Sequence, residues 1–289
     1  MTAAVHVERA PPEDVFSLLG NELRVDILEA LAETPDEPVS FSTLRERVGE
    51  HDSGKFNYHL GKLVGQFVRH TDDGYELTLA GAQLVGALFS GTYTADAELD
   101  PVEVDDPCPS CGESPLVAEY EDEYAHTYCP SCGEWENRFS FPPGALDQYD
   151  VDDLPATFDR WMRSTFQRVV SGFCPVCAGR MDGELFAPDD RDEPARARFE
   201  CARCGDAAYA SAGTPLLFHP GMLGFYYDHG VDATATPTWR VTAAQDDYSV
   251  DLVTEDPLRV RVEVEVDGDT ATAVVDENAT VASFERSDR

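Results

Sequence analysis

Apolar residues recur at helical spacing through the first third of the chain and alternate with polar residues near its end. The segment EDVFSLLGNELRVDILEALAE predicts a long amphipathic helix, and VSFSTLRERVGE predicts a shorter one. A third helix is predicted over DSGKFNYHLGKLV, and FVRHTDDGYELTLAG predicts two strands joined by a turn at DDG. Residues 13–90 therefore predict one small domain of three helices followed by a hairpin.

The third predicted helix has an apolar side and a basic side. On a helical wheel, at about 100° per residue, the predicted buried stripe consists of Phe56, Leu60, Leu63, Val64 and Phe67. The opposite side carries Lys55, Tyr58 and Lys62, flanked by His59 and Gln66. The chain has no other lysine, and no acidic residue occurs from Ser53 to Thr71. With Asp52 or Ser53 as its N-cap, this helix is expected to expose a basic face.

Later segments alternate between polar, helical and strand-like patterns. Residues 91–107 hold six acidic residues and no basic one, which predicts a solvated linker. DVDDLPATFDRWMRSTFQRVV predicts a helix. LRVRVEVEV, a DGD turn and TATAVV predict a hairpin, and ATVASFER predicts a further strand. A faint repeat after the second and fourth cysteine pairs predicts a ribbon followed by a helix, twice.

Charge changes this picture most. The chain has 56 acidic and 21 basic residues and a net charge of −35, yet 42% of its residues are hydrophobic, so it is expected to fold. Carboxylates repel weakly in molar salt, where the Debye length is about 3 Å. The composition resembles that of halophilic archaeal proteins. Arg160–Met181 is a second acid-free stretch, and we expect its arginines to lie on a solvated helix face that pairs with nearby acids.

All eight cysteines fall in four C-x-x-C pairs, which predict metal ligands rather than disulfides. The first set is Cys108, Cys111, Cys129 and Cys132, and the second is Cys174, Cys177, Cys201 and Cys204. Each set resembles a zinc ribbon, and Gly112, Gly133 and Gly205 stand where such a turn needs a positive φ. Two structural Zn²⁺ ions per chain are therefore expected. Iron in a rubredoxin-like site is the alternative, because four thiolates serve both metals.

The predicted fold class is α+β, with a winged helix-turn-helix, two four-cysteine zinc-ribbon-like modules and a C-terminal β-rich unit. Its boundaries are 13–90 for the helical domain, 91–107 for the linker, 108–141 for the first ribbon, 142–172 for the connecting helix, 173–214 for the second ribbon and 215–289 for a helix with a β-hairpin. No apolar run is long enough to cross a membrane, and MTAAVHVERAPPEDV lacks a secretion-signal pattern. A cytoplasmic protein without a membrane partner is expected.

LGNELRVDILEAL, SFSTLRERVG, SGKFNYHLGKLV and YELTLAG resemble segments of ArsR-type winged-helix transcription regulators. The resemblance covers about residues 13–90. It implies binding to double-stranded DNA through Ser53, Lys55, Asn57, Tyr58, His59 and Lys62, with a wing around Arg69 on the backbone or minor groove. AGAQLVGALFSG would be the dimer helix of a homodimer. Thiol-based metal sensors of that family carry cysteines in this domain, whereas none precedes Cys108 here.

The expected function is transcription regulation by sequence-specific DNA binding. The main alternative is docking on the transcription machinery, because a winged helix followed by a zinc ribbon is similar to archaeal transcription factor E. An RNA-binding or redox ribbon protein is a third alternative. No phosphate loop, nucleophile elbow or paired-carboxylate motif stands out, so an enzyme is not expected.

Overall fold

The computed structural model describes residues 6–113, 115–188 and 194–287 and divides the chain into two compact units. The first contains the chain up to Asp96 with Pro142–Ala145, and the second contains Ala97–Phe141 and the chain from Leu146 onward. This division falls inside the predicted linker. The start of the segment considered for a secretion signal, and one short piece of each predicted ribbon, lie outside the described residues.

The first unit consists of helices, a hairpin and a final helix. Its elements are α1 (Pro12–Ser17), α2 (Glu22–Ala32), α3 (Phe41–Arg47), α4 (Ser53–Leu63), β1 (Val68–His70), β2 (Tyr75–Leu77) and α5 (Leu79–Phe89). β1 and β2 pair antiparallel, and Val39 extends this pairing through reciprocal backbone hydrogen bonds with Tyr75. One apolar core joins α2, α3 and α4, with Ile27, Leu44 and Phe56 fully buried.

Two predictions for this unit need correction. The long helix predicted from Glu13 is broken into α1 and α2, because the chain turns between Leu18 and Gly20 and Asn21 is extended at φ −151°. Val64, predicted to be buried, is 39% exposed because α4 ends at Leu63 and Val64 leaves the helical path. The other members of the predicted stripe are buried, and Asp52 caps α4 as predicted.

The second unit contains three antiparallel sheets whose strands follow chain order. The first sheet is β3 (Leu99–Val104), β4 (Leu116–Glu121), β5 (Tyr124–Tyr128) and β6 (Glu136–Ser140). The second is β7 (Met181–Phe186), β8 (Arg196–Cys201) and β9 (Ala207–Ser211), and the third is β10 (Asp247–Glu255), β11 (Leu258–Val266), β12 (Asp269–Val275) and β13 (Val281–Ser287). The helices are α6 (Leu154–Val170), α7 (Pro220–Asp228) and α8 (Thr238–Ala243).

The prediction of a solvated linker is wrong for residues 99–104. They form β3, which pairs with β4 through Val102 opposite Ala118 and Val104 opposite Leu116. Val104 is buried while the acidic neighbours Glu103 and Asp105 are exposed, so alternation allows an acidic segment to serve as an edge strand.

The second ribbon and the C-terminal sheet share one apolar core. Leu185 and Phe199 of the second sheet belong to the same buried cluster as Val262 of the third sheet and Phe225 of α7. The predicted boundary at residue 215 is therefore not a break in packing. The predicted hairpin and final strand are confirmed as β11, β12 and β13, and a ribbon followed by a helix does occur twice. Among the described helices, none is long and apolar enough to cross a bilayer.

Candidate metal centres and the basic face of the fourth helix

The eight cysteines lie in two groups of four. In the first group, Sγ of Cys108 is 3.8 Å from Sγ of Cys132, and Sγ of Cys111 is 3.7 Å from Sγ of Cys129. In each group, all four sulfur atoms lie within 4.8 Å of one another. The spacing of the C-x-x-C pairs thus predicted correctly which cysteines come together.

The second group repeats this geometry. Sγ of Cys174 is 3.7 Å from Sγ of Cys204, and Sγ of Cys177 is 3.5 Å from Sγ of Cys201. All these cysteines are free thiols, whereas the sulfurs of a disulfide lie about 2.05 Å apart. Four sulfurs bound tetrahedrally at about 2.3 Å from one ion lie about 3.8 Å from each other. Each group therefore has the donor set and the spacing to hold one metal ion.

Four tight turns present the thiols. The first cysteine of each pair accepts a backbone hydrogen bond at its carbonyl from the residue four positions later, and the donors are Gly112, Gly133, Ala178 and Gly205. All four donors have positive φ, and the φ of Ala178 is +53°. The sequence predicted the three glycines. It gave no sign that an alanine takes the same left-handed conformation in the third turn.

Backbone amides favour the charged form of one thiol in each group, whereas the pKa values of Cys111, Cys174 and Cys204 are raised. The pKa of Cys129 is lowered to about 6, first by the backbone N–H of Cys132 and also by that of Ser131. The pKa of Cys201 is likewise lowered to about 6 by the backbone N–H groups of Cys204 and Arg203. Metal ions bind thiolates rather than thiols, so these amides prepare one ligand of each group for an ion.

Gly179 lies directly against the second group. A Cβ atom at this position would be 2.9 Å from Sγ of Cys201 and 3.1 Å from Sγ of Cys177. We expect Gly179→Ala to displace these sulfurs and to reduce the metal content of the purified chain toward one ion, measured by mass spectrometry of the metals. Ala178→Gly is the matched variant, since it removes a left-handed alanine and should keep both ions while stabilising the chain by about 1 kcal/mol. Two tightly held ions in Gly179→Ala would contradict this account.

The basic face predicted for the third helix lies on α4. Lys55, Asn57, Tyr58 and Lys62 are exposed, as are Ser53 at the start of the helix and Arg69 in the hairpin. Tyr58 is 60% exposed, and Nζ of Lys62 lies 5.5 Å from the centre of its ring. This distance allows a cation–π contact that keeps Lys62 on the outer surface.

Two of these basic side chains have acidic partners that the sequence did not indicate. Nζ of Lys55 is 2.7 Å from Oε2 of Glu50, and Nη1 of Arg69 is 2.8 Å from Oε1 of Glu76. Glu50 precedes the helix and Glu76 lies on the opposite strand, so both lie outside the acid-free stretch. The acid-free stretch from Ser53 to Thr71 therefore does not give a surface free of carboxylates, and Lys62 has no ion pair with any described carboxylate.

His59 lies differently from the other predicted contact residues. Its side chain is half-buried, and Nδ1 is enclosed without a hydrogen-bond partner among the described residues. Burial lowers the pKa of His59, and the nearby charge of Arg24 on α2 lowers it further. The imidazole therefore favours the neutral form and faces the side of α4 rather than its outermost surface.

These features define an α+β protein with two four-cysteine groups, each able to hold a metal ion. Residues 105–281 match the sequence model of the domain of unknown function DUF7351, which covers more than half of the chain, so the chain belongs to this family. Residues 12–88 match a second domain of unknown function, DUF7347. No curated protein and no solved structure matches the chain.

Proposed function

We propose that the chain is a transcription regulator that binds specific sites on double-stranded DNA through its first unit. The observation that carries the proposal is α4, an 11-residue helix with an N-cap at Asp52, a buried apolar stripe and both lysines of the chain on its exposed side. Three helices precede α4, of which α2 and α3 share its apolar core, and a hairpin follows it; α2, α3, α4 and the hairpin stand in the order of a winged helix-turn-helix. In this proposal α4 enters the major groove and the hairpin is the wing.

The exposed side of α4 offers the donors that base recognition needs. Asn57 can bond an adenine edge in a bidentate manner, and lysine can donate to the O6 and N7 atoms of guanine. In this proposal Ser53 and Arg69 contact phosphates, which fix the position of the helix on the duplex. Because molar salt weakens phosphate attraction strongly, base contacts must supply more of the binding free energy in a halophilic cell.

Glu50 should weaken DNA binding, because it occupies the ammonium group of Lys55. Contact with a base or phosphate requires Lys55 to leave this carboxylate or to bring it near the DNA. We expect Glu50→Gln to tighten binding severalfold, up to about tenfold, since exposed ion pairs contribute up to about 1 kcal/mol and like-charge repulsion is also removed. Fluorescence anisotropy with a labelled operator duplex would measure the change. Glu13→Gln on α1 has the same charge change and should have no effect; equal affinity for Glu50→Gln and wild type would contradict the role of Lys55.

We further propose that both four-cysteine groups hold structural Zn²⁺. Four thiolates close the coordination sphere and leave no position for a reacting water, so the ion would cross-link the turns rather than catalyse a reaction. Cys108, Cys111, Cys129 and Cys132 would hold one ion, and Cys174, Cys177, Cys201 and Cys204 the other. Optical absorption distinguishes iron, which would give a coloured protein, from colourless zinc.

Docking on the transcription machinery is the second candidate function. The ion pairs of Lys55 and Arg69 favour it, because they reduce the positive charge that is free to meet phosphates. The exposed side chains of Tyr58 and Val64 would also suit a protein partner. Genome-wide occupancy of the tagged chain separates the two functions. A small set of sharp peaks with a shared motif supports the regulator, whereas occupancy at all active promoters supports docking.

A further inference from the structure

A small cleft in the second unit lies along one stripe of α6. Its volume is about 300 Å³, and its polar lining comes from Thr234 and from four residues of α6, namely Arg160, Arg163, Ser164 and Gln167. These positions are spaced three, four and seven residues from the first, so they share one face of the helix. In a chain with 56 acidic residues, none of the residues that line this cleft is acidic.

The two arginines of this lining have different roles. Arg163 is fixed in place, because its guanidinium donates hydrogen bonds to the backbone carbonyls of Ala233 and Thr236. Nη1 of Arg163 also lies 4.0 Å from Oδ2 of Asp159, a buried carboxylate, and Asp232 acts on Arg163 at longer range. The charge of Arg163 is therefore balanced within the protein.

Arg160 is less constrained than Arg163, although its charge also acts at longer range on the buried carboxylate of Asp159. Its Nη2 donates to the hydroxyl of Thr157 at 2.7 Å, and no described carboxylate forms an ion pair with it. A guanidinium has five N–H donors, so Arg160 retains a pair for a carboxylate. The sequence predicted that the arginines of this acid-free stretch pair with nearby acids on a solvated face. Arg163 and Arg180 do pair, with Asp159 and Asp182, whereas Arg160 forms no ion pair with a described carboxylate.

The rest of the cleft lining is mainly apolar. It is formed by Leu217 and Phe218, which end a short 3-10 turn, and by Leu223 of α7. All three side chains are only partly buried, so they offer surface that a ligand can cover. A cleft of this size is at the small end of ligand pockets, which span about 300–1,000 Å³. It is too small for a nucleotide, and inorganic phosphate would leave the apolar lining uncovered.

We propose that this cleft binds a small organic carboxylate with an apolar body. The carboxylate pairs with Arg160, the amide of Gln167 donates a further hydrogen bond, and the apolar body packs on Leu217, Phe218 and Leu223. Arg163 keeps its hydrogen bonds to the carbonyls of Ala233 and Thr236. This site lies within the second unit and is independent of the DNA-binding proposal, so either can fail alone.

Isothermal titration calorimetry with the full, metal-loaded chain in concentrated KCl tests the proposal. The probes are phenylacetate, its uncharged analogue phenylacetamide, acetate and inorganic phosphate. We expect saturable binding of phenylacetate. Phenylacetamide, which lacks the charge, and acetate, which lacks the apolar body, should each bind more weakly by about tenfold or more. Equal binding of phenylacetate and phenylacetamide, no saturable binding of phenylacetate, or preferential binding of phosphate would each overturn the assignment.

Two variants test whether phenylacetate binds in this cleft. Arg160→Gln removes the free charge and should weaken phenylacetate binding by about tenfold, without loss of folding because Arg160 is exposed. Arg261→Gln makes the same charge change on the exposed side of β11 and should bind as wild type does. If Arg160→Gln binds as tightly as Arg261→Gln, the carboxylate is bound elsewhere and the proposal is wrong.

Discussion

Replacing both lysines by glutamate, Lys55→Glu with Lys62→Glu, should reduce DNA affinity by roughly 100-fold or more. Each base or phosphate contact that is lost costs about 1–3 kcal/mol, and the two new carboxylates also repel the phosphates. Electrophoretic mobility shift with an operator duplex, or loss of genome-wide peaks in the native host, would measure the effect. The same variant distinguishes the docking alternative. If the first unit docks on the transcription machinery, promoter occupancy should persist without the two lysines.

Loss of folding should not confuse this result. Both side chains are exposed, so the loss of the Lys55–Glu50 ion pair costs little stability. A glutamate at residue 55 also lies three positions after the N-cap Asp52, where an acidic residue suits the helix terminus. Arg259→Glu with Arg261→Glu is the charge-matched control, since both arginines are exposed on β11 in the second unit. Circular dichroism and metal content should be unchanged in both variants. Undiminished DNA binding by the lysine variant would refute α4 as the reading helix.

The second large effect should come from the cysteines. We expect two zinc ions in the purified chain, and one ion after either Cys129→Ser or Cys201→Ser. Structural zinc contributes apparent binding free energies of about 10–16 kcal/mol in small peptides, so each loss should destabilise the second unit severely. Ser131→Ala is the control for the first group, because it changes a turn residue that is not a ligand and should retain both ions. Zero or one ion in the wild-type chain would overturn the paired centres.

Removal of metal by a chelator should affect the two units differently. The first unit contains no cysteine and has its own apolar core, so its helical signal should survive strong chelators. The second unit holds both four-cysteine groups, and Cys108, Cys129, Cys174 and Cys201 are buried in it, so it should lose its fixed tertiary structure. Hydrogen exchange of the full chain would report both outcomes. Simultaneous opening of both units, or of neither, would contradict this expectation.

The sequence was informative where one local rule decides the structure. Helical periodicity identified the buried side of α4 through Phe56, Leu60 and Leu63, and cysteine spacing identified both four-cysteine groups. Alternation identified β11 and β12, because their inward side chains are nearly all valine or alanine. In these elements, side-chain chemistry and backbone period agree, so no distant contact is needed to find them.

The sequence failed where distant or flanking residues decide the outcome. Glu50 reaches Lys55 only because the chain turns before α4, so an acid-free stretch did not produce an acid-free surface. β3 was missed because the acidic residues around Val102 and Val104 are typical of a solvated linker, although pairing with β4 buries Val104. β10 was missed because most of its residues are exposed, and only its partner β11 reveals it. The cleft on α6 depends on residues from three separate segments of the chain.

The shared core of the second ribbon and the C-terminal sheet affects how fragments of this chain behave. A fragment that stops at residue 214 would keep every cysteine and could bind its full complement of metal. It would nevertheless expose Leu185 and Phe199, which normally pack in the same cluster as Val262 and Phe225. Such a fragment should aggregate even when it binds two metal ions. Metal stoichiometry alone is therefore a poor test of whether a truncated chain has folded.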